Sequence, residues 1–381
     1  VYDVIPVFYE EIEESLVLIF GDEARQAKVP ELLHFGSWVG GDMDGLPDVH
    51  AKTIRESCAR HHALIVNRYF LEALRLAEKL SQSERRTPNI PQPLRDRIEH
   101  YKSVVPAARA SAPSGHDEMP YRVLLGQIAE RLRATYDHRS GQYERVEQLT
   151  DDLQIIVNSL EANRGRYAGL FLIRRFLRRV RTFGLYLATL DVRQNAEVHR
   201  QIVGRALAEP NWETRTAAER VERLRDALAR DESPPEVLEA AGKRALWVFE
   251  AMDYCRHRYG QAAVGSYVVS MARDIDDVLS VLLLARWAGL VDGSNGQVSL
   301  DVAPLFESVA ALDAAGPALT RLLADPIYRD HLAARGNRQV VMIGYADSNK
   351  ESGIASSRWL LRRAQEAMLA ACAKAGVHLM V

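Results

Sequence analysis

The stretch Val341-Met342-Ile343-Gly344-Tyr345-Ala346-Asp347-Ser348-Asn349-Lys350 decides how this chain is read. An apolar run, Gln339–Ile343, stops on a glycine, and a helical pattern over Ser352–Ala375 follows. A carboxylate and an ammonium sit in the turn between them. Turns of that kind are where α/β proteins place their chemistry, because ligands gather at the C-terminal ends of parallel strands. Four other short segments read as strands: Gly184–Leu190, Gly265–Ser270, Val298–Val302 and the terminal Val377–Val381. Helical patterns separate them, which predicts a parallel sheet with helices outside. Their near-continuous apolar character predicts cover on both faces.

The strands also share what comes after them. Gly184–Leu190 runs into Asp191-Val192-Arg193-Gln194, and Gly265–Ser270 into Met271-Ala272-Arg273-Asp274. Val298–Val302 runs into Pro304-Leu305-Phe306-Glu307. Polar ends on successive strands predict the mouth of a (β/α) barrel. A doubly wound sheet is the alternative, but it usually opens on a glycine-rich phosphate turn, and neither GxGxxG nor GxxxxGK[ST] occurs. The expected fold class is therefore α/β, a helix-rich TIM-like (β/α) barrel. Residues 1–181 read as mostly helical and residues 182–381 as βα units. Helical spacing marks His50–Leu80, Tyr121–Tyr136, Tyr143–Leu160, Tyr167–Arg181, Ala217–Ala229 and Pro235–Tyr259. The proline-bearing stretches Ser81–Pro93 and Val105–Pro120 read as surface loops around a short helix.

The 381 residues carry 49 Lys plus Arg against 51 Asp plus Glu, a formal net charge of −2. Such a chain has no global positive field with which to neutralise nucleic-acid phosphates. Three scattered cysteines, Cys58, Cys255 and Cys372, make neither a disulfide framework nor a zinc site and suit a reducing, cytoplasmic setting. The longest apolar run, Val278–Ala285, is too short for a bilayer and suits a buried helix, so no membrane partner is expected. The chain starts on Val1 and ends on an apolar run, which leads us to expect a slice of something longer.

The residue types at the strand ends suggest chemistry, with plainer readings beside it. Glu307 and Asp347 follow different strands, and two converging carboxylates suit a hard divalent cation. Equally, Asp347 caps a helix near Ser348 and Glu307 opens the next one. Arg193 presents a planar fork for a phosphate or carboxylate, or it pairs with Asp191 or Asp347. Lys350 sits at a helix start, where positive charge is disfavoured, so it needs an anion, either a substrate or Glu351. The segment Phe35–Pro47 is dense in glycine, with Trp38 able to wall a pocket; Asp42 and Asp44 there suit either a cation or a turn. Arg174, Arg175, Arg178, Arg179 and Arg181 read as the solvated stripe of an amphipathic helix.

Together these motifs resemble the phosphoenolpyruvate carboxylase family. The carriers are FGSWVGGDMDGLP over Phe35–Pro47, LDVRQNAEVH over Leu190–His199 and YVVSMARDIDDVL over Tyr267–Leu279. APLFE over Ala303–Glu307 and VMIGYADSNKESG over Val341–Gly353 complete the set, in the family's order. The resemblance implies a barrel of that family's type, here partial, and a single partial catalytic domain over 1–381. It implies carboxylation of phosphoenolpyruvate with bicarbonate to oxaloacetate and phosphate, with Mg²⁺ or Mn²⁺. By resemblance Glu307 and Asp347 match the metal ligands and Arg193 the substrate-phosphate arginine. Lys350 matches a lysine near bicarbonate, and Trp38 a tryptophan of the pocket by the reacting carbon. A homo-oligomer, tetrameric in the family, is implied too. The sequence departs from the family pattern at Met43, Leu46 and Asn195. It also lacks the family's TAHPTE and GRGG segments, so the expectation is that this chain alone is inactive. A non-catalytic metabolite-binding relative is the alternative, as is another barrel lyase acting on an enolic phosphate.

Overall fold

The computed structural model describes residues 1–86, 89–110, 114–163 and 165–381. Pro88 and Pro113, in the two proline-bearing loops, lie outside the described residues. The chain divides into two compact units. One comprises residues 1–35, 58–189 and 259–263; the other comprises 36–57, 190–258 and 264–381.

The first unit is helical. Its core packs apolar residues at helical spacing, among them Ile65, Tyr69, Leu124, Ile128, Leu153, Ile156, Ile173 and Phe176. The basic stripe expected to face water is instead paired. On the helix Leu170–Phe183, Arg175 forms a two-pronged bond to Glu10 at 2.7 and 2.6 Å, Arg178 meets Glu13 at 3.4 Å, and Arg179 pairs with Glu72 and Asp3. Val4–Phe20, a helix the periodicity did not single out, supplies Glu10 and Glu13. Deeper in this unit Asp152 is fully buried. Tyr101 and Tyr143 donate their hydroxyls to it at 2.8 and 2.6 Å, and Arg97 and Arg131 pair with it.

The second unit holds the α/β part. Its five-stranded sheet has the order β1-β2-β3-β4-β6, with β1 Gly36–Ser37, β2 Thr189–Asn195, β3 Val264–Ser270, β4 Val302–Phe306 and β6 Met342–Ile343. A second pair joins β5 Arg338–Val340 to β7 His378–Met380. Strand pairs β2–β3, β3–β4, β4–β6 and β5–β7 are all parallel. This is a helix-rich α/β arrangement with a parallel half-barrel sheet. Every residue of β4 is buried, as are Tyr267–Ser270 at the end of β3, and the helix Ile275–Trp287 is buried over Asp276–Ala285.

Two strands lie further along the chain than expected. Gly184–Ala188 is a turn, because Gly184 and Leu187 take positive φ of 53° and 65° and Leu187 N–H bonds back to Phe183 at 2.9 Å. The strand begins at Thr189, where Leu190 and Val192 alternate as buried residues with Asp191 and Arg193. That period of two is the half-buried strand pattern, so Arg193 stands within the strand rather than after it. Likewise Val298 makes only an isolated antiparallel bridge to Val291, and the third strand is Val302–Phe306, through Pro304. The Gln339–Ile343 run is real but divided: its first half pairs with β7 and its second with β4. The helices Ala51–Lys79, Pro120–Tyr136 and Ala217–Ala229 fall where the spacing placed them. The last helix begins earlier than expected, at Ala346, and breaks at Gly353 (φ 79°, ψ 162°). All three cysteines are buried and none is in a disulfide. Among the described residues no helix is long and apolar enough to cross a membrane.

Two stability predictions follow from the buried polar groups. Asp152→Ala strands two arginines and two tyrosine hydroxyls, and should cost about 3–5 kcal/mol in urea unfolding; a loss under about 1 kcal/mol would contradict the network's role. His199 is buried against the Tyr267 hydroxyl at 2.8 Å, and burial pushes its pKa down to about 3. The unfolded chain, with a histidine pKa of about 6.5, then binds the extra proton across pH 6.5 to 3, so stability falls on acidification through that window. His199→Gln should flatten that fall by up to about 1.4 kcal/mol per pH unit; an unchanged slope would sink the assignment.

Candidate functional site

Within the second unit, the glycine-rich segment 36–47 lies along β2. Arg193 N–H donates to Gly41 O at 2.9 Å, and Met43 N–H donates to Arg193 O at 2.8 Å. This approach requires glycine. A Cβ on Gly41 would lie 2.1 Å from the Asp191 carbonyl oxygen, and one on Gly40, at φ +87°, would lie 1.9 Å from Ser57 Oγ. The ladder between β2 and β3 shifts register between Leu190 and Val192, and there the Asp191 carboxylate accepts the Ser266 N–H at 3.0 Å. Burial pushes the Asp191 pKa up, and that hydrogen bond opposes the shift.

The loop carries its acids to Arg193. Arg193 Nε donates to Asp42 Oδ1 at 2.9 Å, and the guanidinium lies 5.0 Å from the Trp38 ring centroid. Among the described residues the two η nitrogens of Arg193 have no hydrogen-bond partner. Asp42 thus fixes one edge of the fork and leaves the other edge for an oxyanion. Burial opposes the charge on Arg193, but Asp42, Asp44 and Glu307 outweigh it and hold its pKa above the ordinary value. Asp44 accepts the Ser270 hydroxyl at 2.6 Å, from the end of β3. Asp42 and Asp44 form the expected turn, with the Asp44 N–H donating to Asp42 Oδ1 at 3.1 Å, and each carboxylate also has a tertiary partner. Arg193 pairs with Asp42, not with Asp191 or Asp347.

Glu307 directly follows β4, and Gly344 follows β6. The two strands are tied by Gly344 N–H to Phe306 O at 2.9 Å, and a Cβ on Gly344 would lie 2.7 Å from Glu307 Cβ. Ser348 N–H donates to Glu307 O at 3.0 Å, which sets the turn bearing Asp347 and Lys350 beside Glu307. Lys350 Nζ meets Asp347 Oδ1 at 3.1 Å. Glu351 bonds the Val309 N–H, so Lys350 finds its anion in Asp347. The Glu307 pKa is raised, first by burial, then by the charges of Asp347 and Asp44, while Arg193 and Lys350 pull it down. The side chains of Arg193, Asp44, Glu307, Asp347 and Lys350 share one electrostatic locale at adjacent strand ends.

Asp347 disfavours the charge on Glu307, and a hard divalent cation between the two carboxylates would relieve that repulsion. Among the described residues no group of three or more His, Cys, Asp or Glu could hold a metal. A two-carboxylate site suits magnesium, which keeps positions for water and substrate oxygens. Sequence reasoning missed the partnership of Asp42 with Arg193, 151 residues away, and that of Asp44 with Ser270, 226 residues away. No local signal encodes such distant pairs. Of the departures from the family pattern, Met43 is buried and Asn195 caps the helix Ala196–Ala206 by accepting the Glu197 N–H at 2.9 Å.

Comparison with known proteins agrees with the motifs. The family model described as phosphoenolpyruvate carboxylase matches residues 1–381. A protein of Xanthomonas oryzae pv. oryzae named phosphoenolpyruvate carboxylase is 45% identical over 378 residues, covering 99% of this chain and 41% of that protein. Relatives with the same name are 33% identical in Ralstonia nicotianae, covering 98% of this chain and 40% of the relative, and 31% identical in Burkholderia mallei, covering 99% and 40%. The chain spans about two fifths of the length of these curated relatives. With the loop, the strand-end acids and Arg193 arranged as above, this chain belongs to the phosphoenolpyruvate carboxylase family.

Proposed function

We propose that this chain supplies the metal, arginine and lysine side of a phosphoenolpyruvate carboxylase site. The reaction is carboxylation of phosphoenolpyruvate with bicarbonate to oxaloacetate and phosphate, an anaplerotic carbon fixation that feeds the tricarboxylic acid cycle. The observation that carries the reading is the convergence of Arg193, Glu307, Asp347 and Lys350 in one electrostatic locale at adjacent strand ends. The free η edge of Arg193 binds the substrate phosphate and neutralises the phosphoryl group as it passes to bicarbonate. Lys350 attracts bicarbonate, and the flat face of Trp38 walls the pocket that keeps water from the enolate. Glu307 and Asp347 hold Mg²⁺ or Mn²⁺. When bound, the ion supplies Lewis-acid polarisation of the enolate oxygen. The same reading carries a TIM-like barrel, one catalytic domain of which residues 1–381 are a part, a homotetramer and a cytoplasmic setting.

The non-catalytic alternative has its own support in the buried Met43 and the capping Asn195, which occupy positions where the family pattern has Arg and Glu. A protein that carries this chain, binds phosphoenolpyruvate and forms no oxaloacetate with bicarbonate would be that binder.

Two measurements test the reading. The purified 381-residue chain, assayed with phosphoenolpyruvate, bicarbonate and Mg²⁺, should form no oxaloacetate; turnover would show that the TAHPTE and GRGG segments are dispensable. Mn²⁺ binding followed by electron paramagnetic resonance should weaken about tenfold or more in Asp347→Asn. Unchanged affinity would remove Asp347 from the metal site.

A further inference from the structure

The helix Ala51–Lys79 carries a second apolar surface, on the side turned away from its own core. Ile65, Tyr69, Ala73 and Leu76 on this helix pack into the first unit. On the outer side Leu64, Leu71 and Leu74 are 54%, 47% and 41% exposed. Exposed leucines scattered singly need no explanation. These three are in register. With Arg60, Asn67 and Glu78, all exposed, they fall at the alternating steps of four and three residues that make a coiled-coil seam. The seam from Arg60 to Glu78 runs roughly five turns, about 27 Å. A period of 3.5 keeps it facing one neighbour along that whole length, and the neighbour it suits is another helix.

The seam also complements itself. When two copies pair antiparallel about a two-fold axis level with Tyr69, Leu64 meets the partner's Leu74 and Leu71 meets the partner's Asn67. At each end Arg60 meets the partner's Glu78. Every layer then occurs twice, because a two-fold interface uses the same patch on both copies. A parallel pair would instead set Arg60 against the partner's Arg60 and Glu78 against the partner's Glu78, like charges in both end layers. Among the described residues neither the Arg60 nor the Glu78 side chain has an ion pair within the chain. Arg68, beside the seam, lies over the Tyr2 ring of its own chain at 5.3 Å, which draws its charge aside.

We propose that two copies of this chain associate through this seam as an antiparallel helix pair. Asn67, opposite the partner's Leu71, fixes the register at a cost in stability, so the pair is weak and depends on concentration. A single seam of this length is also small beside a standard protein interface, which points the same way. The proposal assigns one surface of the homotetramer and needs none of the carboxylase chemistry.

Sedimentation velocity on this chain, from low to high micromolar concentration and without substrate, tests the seam. The chain should dimerise reversibly. Leu71→Lys, which puts a charge into two layers, should weaken the dimer about a hundredfold or more. Arg60→Glu and Glu78→Arg should each weaken it about tenfold, and the two together should restore the parent affinity to within about threefold. Recovery by exchange is expected of an antiparallel pair and not of a parallel one. No concentration-dependent association, or an exchange variant no tighter than the single variants, would overturn the proposal. Association unchanged in Leu71→Lys would overturn the seam and leave the homotetramer to another surface. Every substituted side chain is exposed, so the circular dichroism of each variant should match the parent.

Discussion

The bond from Arg193 Nε to Asp42 Oδ1 is the interaction on which the site depends. It joins a strand to a loop 151 residues earlier, at 2.9 Å, with both side chains about four-fifths withdrawn from water. Charge-assisted bonds of that kind are the strong ones, and partial burial spares this one from much of the screening that weakens surface pairs. Its geometry matters as much as its strength. Because Asp42 takes the ε nitrogen and Trp38 lies 5.0 Å from the guanidinium, the η edge is the one left open. The two backbone bonds through Gly41 and Met43 hold the carboxylate in place, and only glycine at position 41 lets the loop come so close to the strand.

Around this fixed cation the fold gathers more negative charge than it neutralises. Asp44, Glu307 and Asp347 face Arg193 and Lys350, and Glu307 responds with a raised pKa. An arrangement selected only for stability would disperse such acids. Sites that perturb pKa values through burial plus specific charges are functional candidates. The contrast with the rest of the second unit is instructive. Behind the sheet, Asp276 and Asp277 are buried but answered by Arg200 and Arg220 at 2.6 to 3.8 Å. There each acid has an arginine in direct contact and the pairs tie helices together, although burial and Asp277 still push the Asp276 pKa up. At the strand ends, among the described residues, Glu307 has no arginine or lysine in direct contact, and a divalent cation with an anionic substrate would complete the group.

Much of this was legible in the sequence, and the exceptions have physical causes. The helices with strong apolar spacing, such as Ala51–Lys79 and Ala217–Ala229, were placed well because their periodicity is local. The β-rich half with polar strand ends was legible for the same reason. The strand at Thr189–Asn195 was misplaced because the preceding apolar residues, including Leu185, serve the core of the helical unit. Apolar content there reported burial, not extension. The proline in Val302–Phe306 hid that strand, whereas the run Gln339–Ile343 was legible and only its division between two pairings was not. At the site, residue types were readable and partners were not. Asp42 with Arg193, and Asp44 with Ser270, are tertiary pairs that depend on the sheet order.

The central claim is that Arg193, held by Asp42 through Nε, presents its η edge to the phosphate of phosphoenolpyruvate. NMR of this chain with ¹⁵N-labelled arginine, titrated with phosphoenolpyruvate in the presence of Mg²⁺, tests it directly. The account predicts that the Nη signals of Arg193 shift saturably with ligand while its Nε signal stays near its starting position. Arg193 signals that stay still while other arginines respond would contradict it.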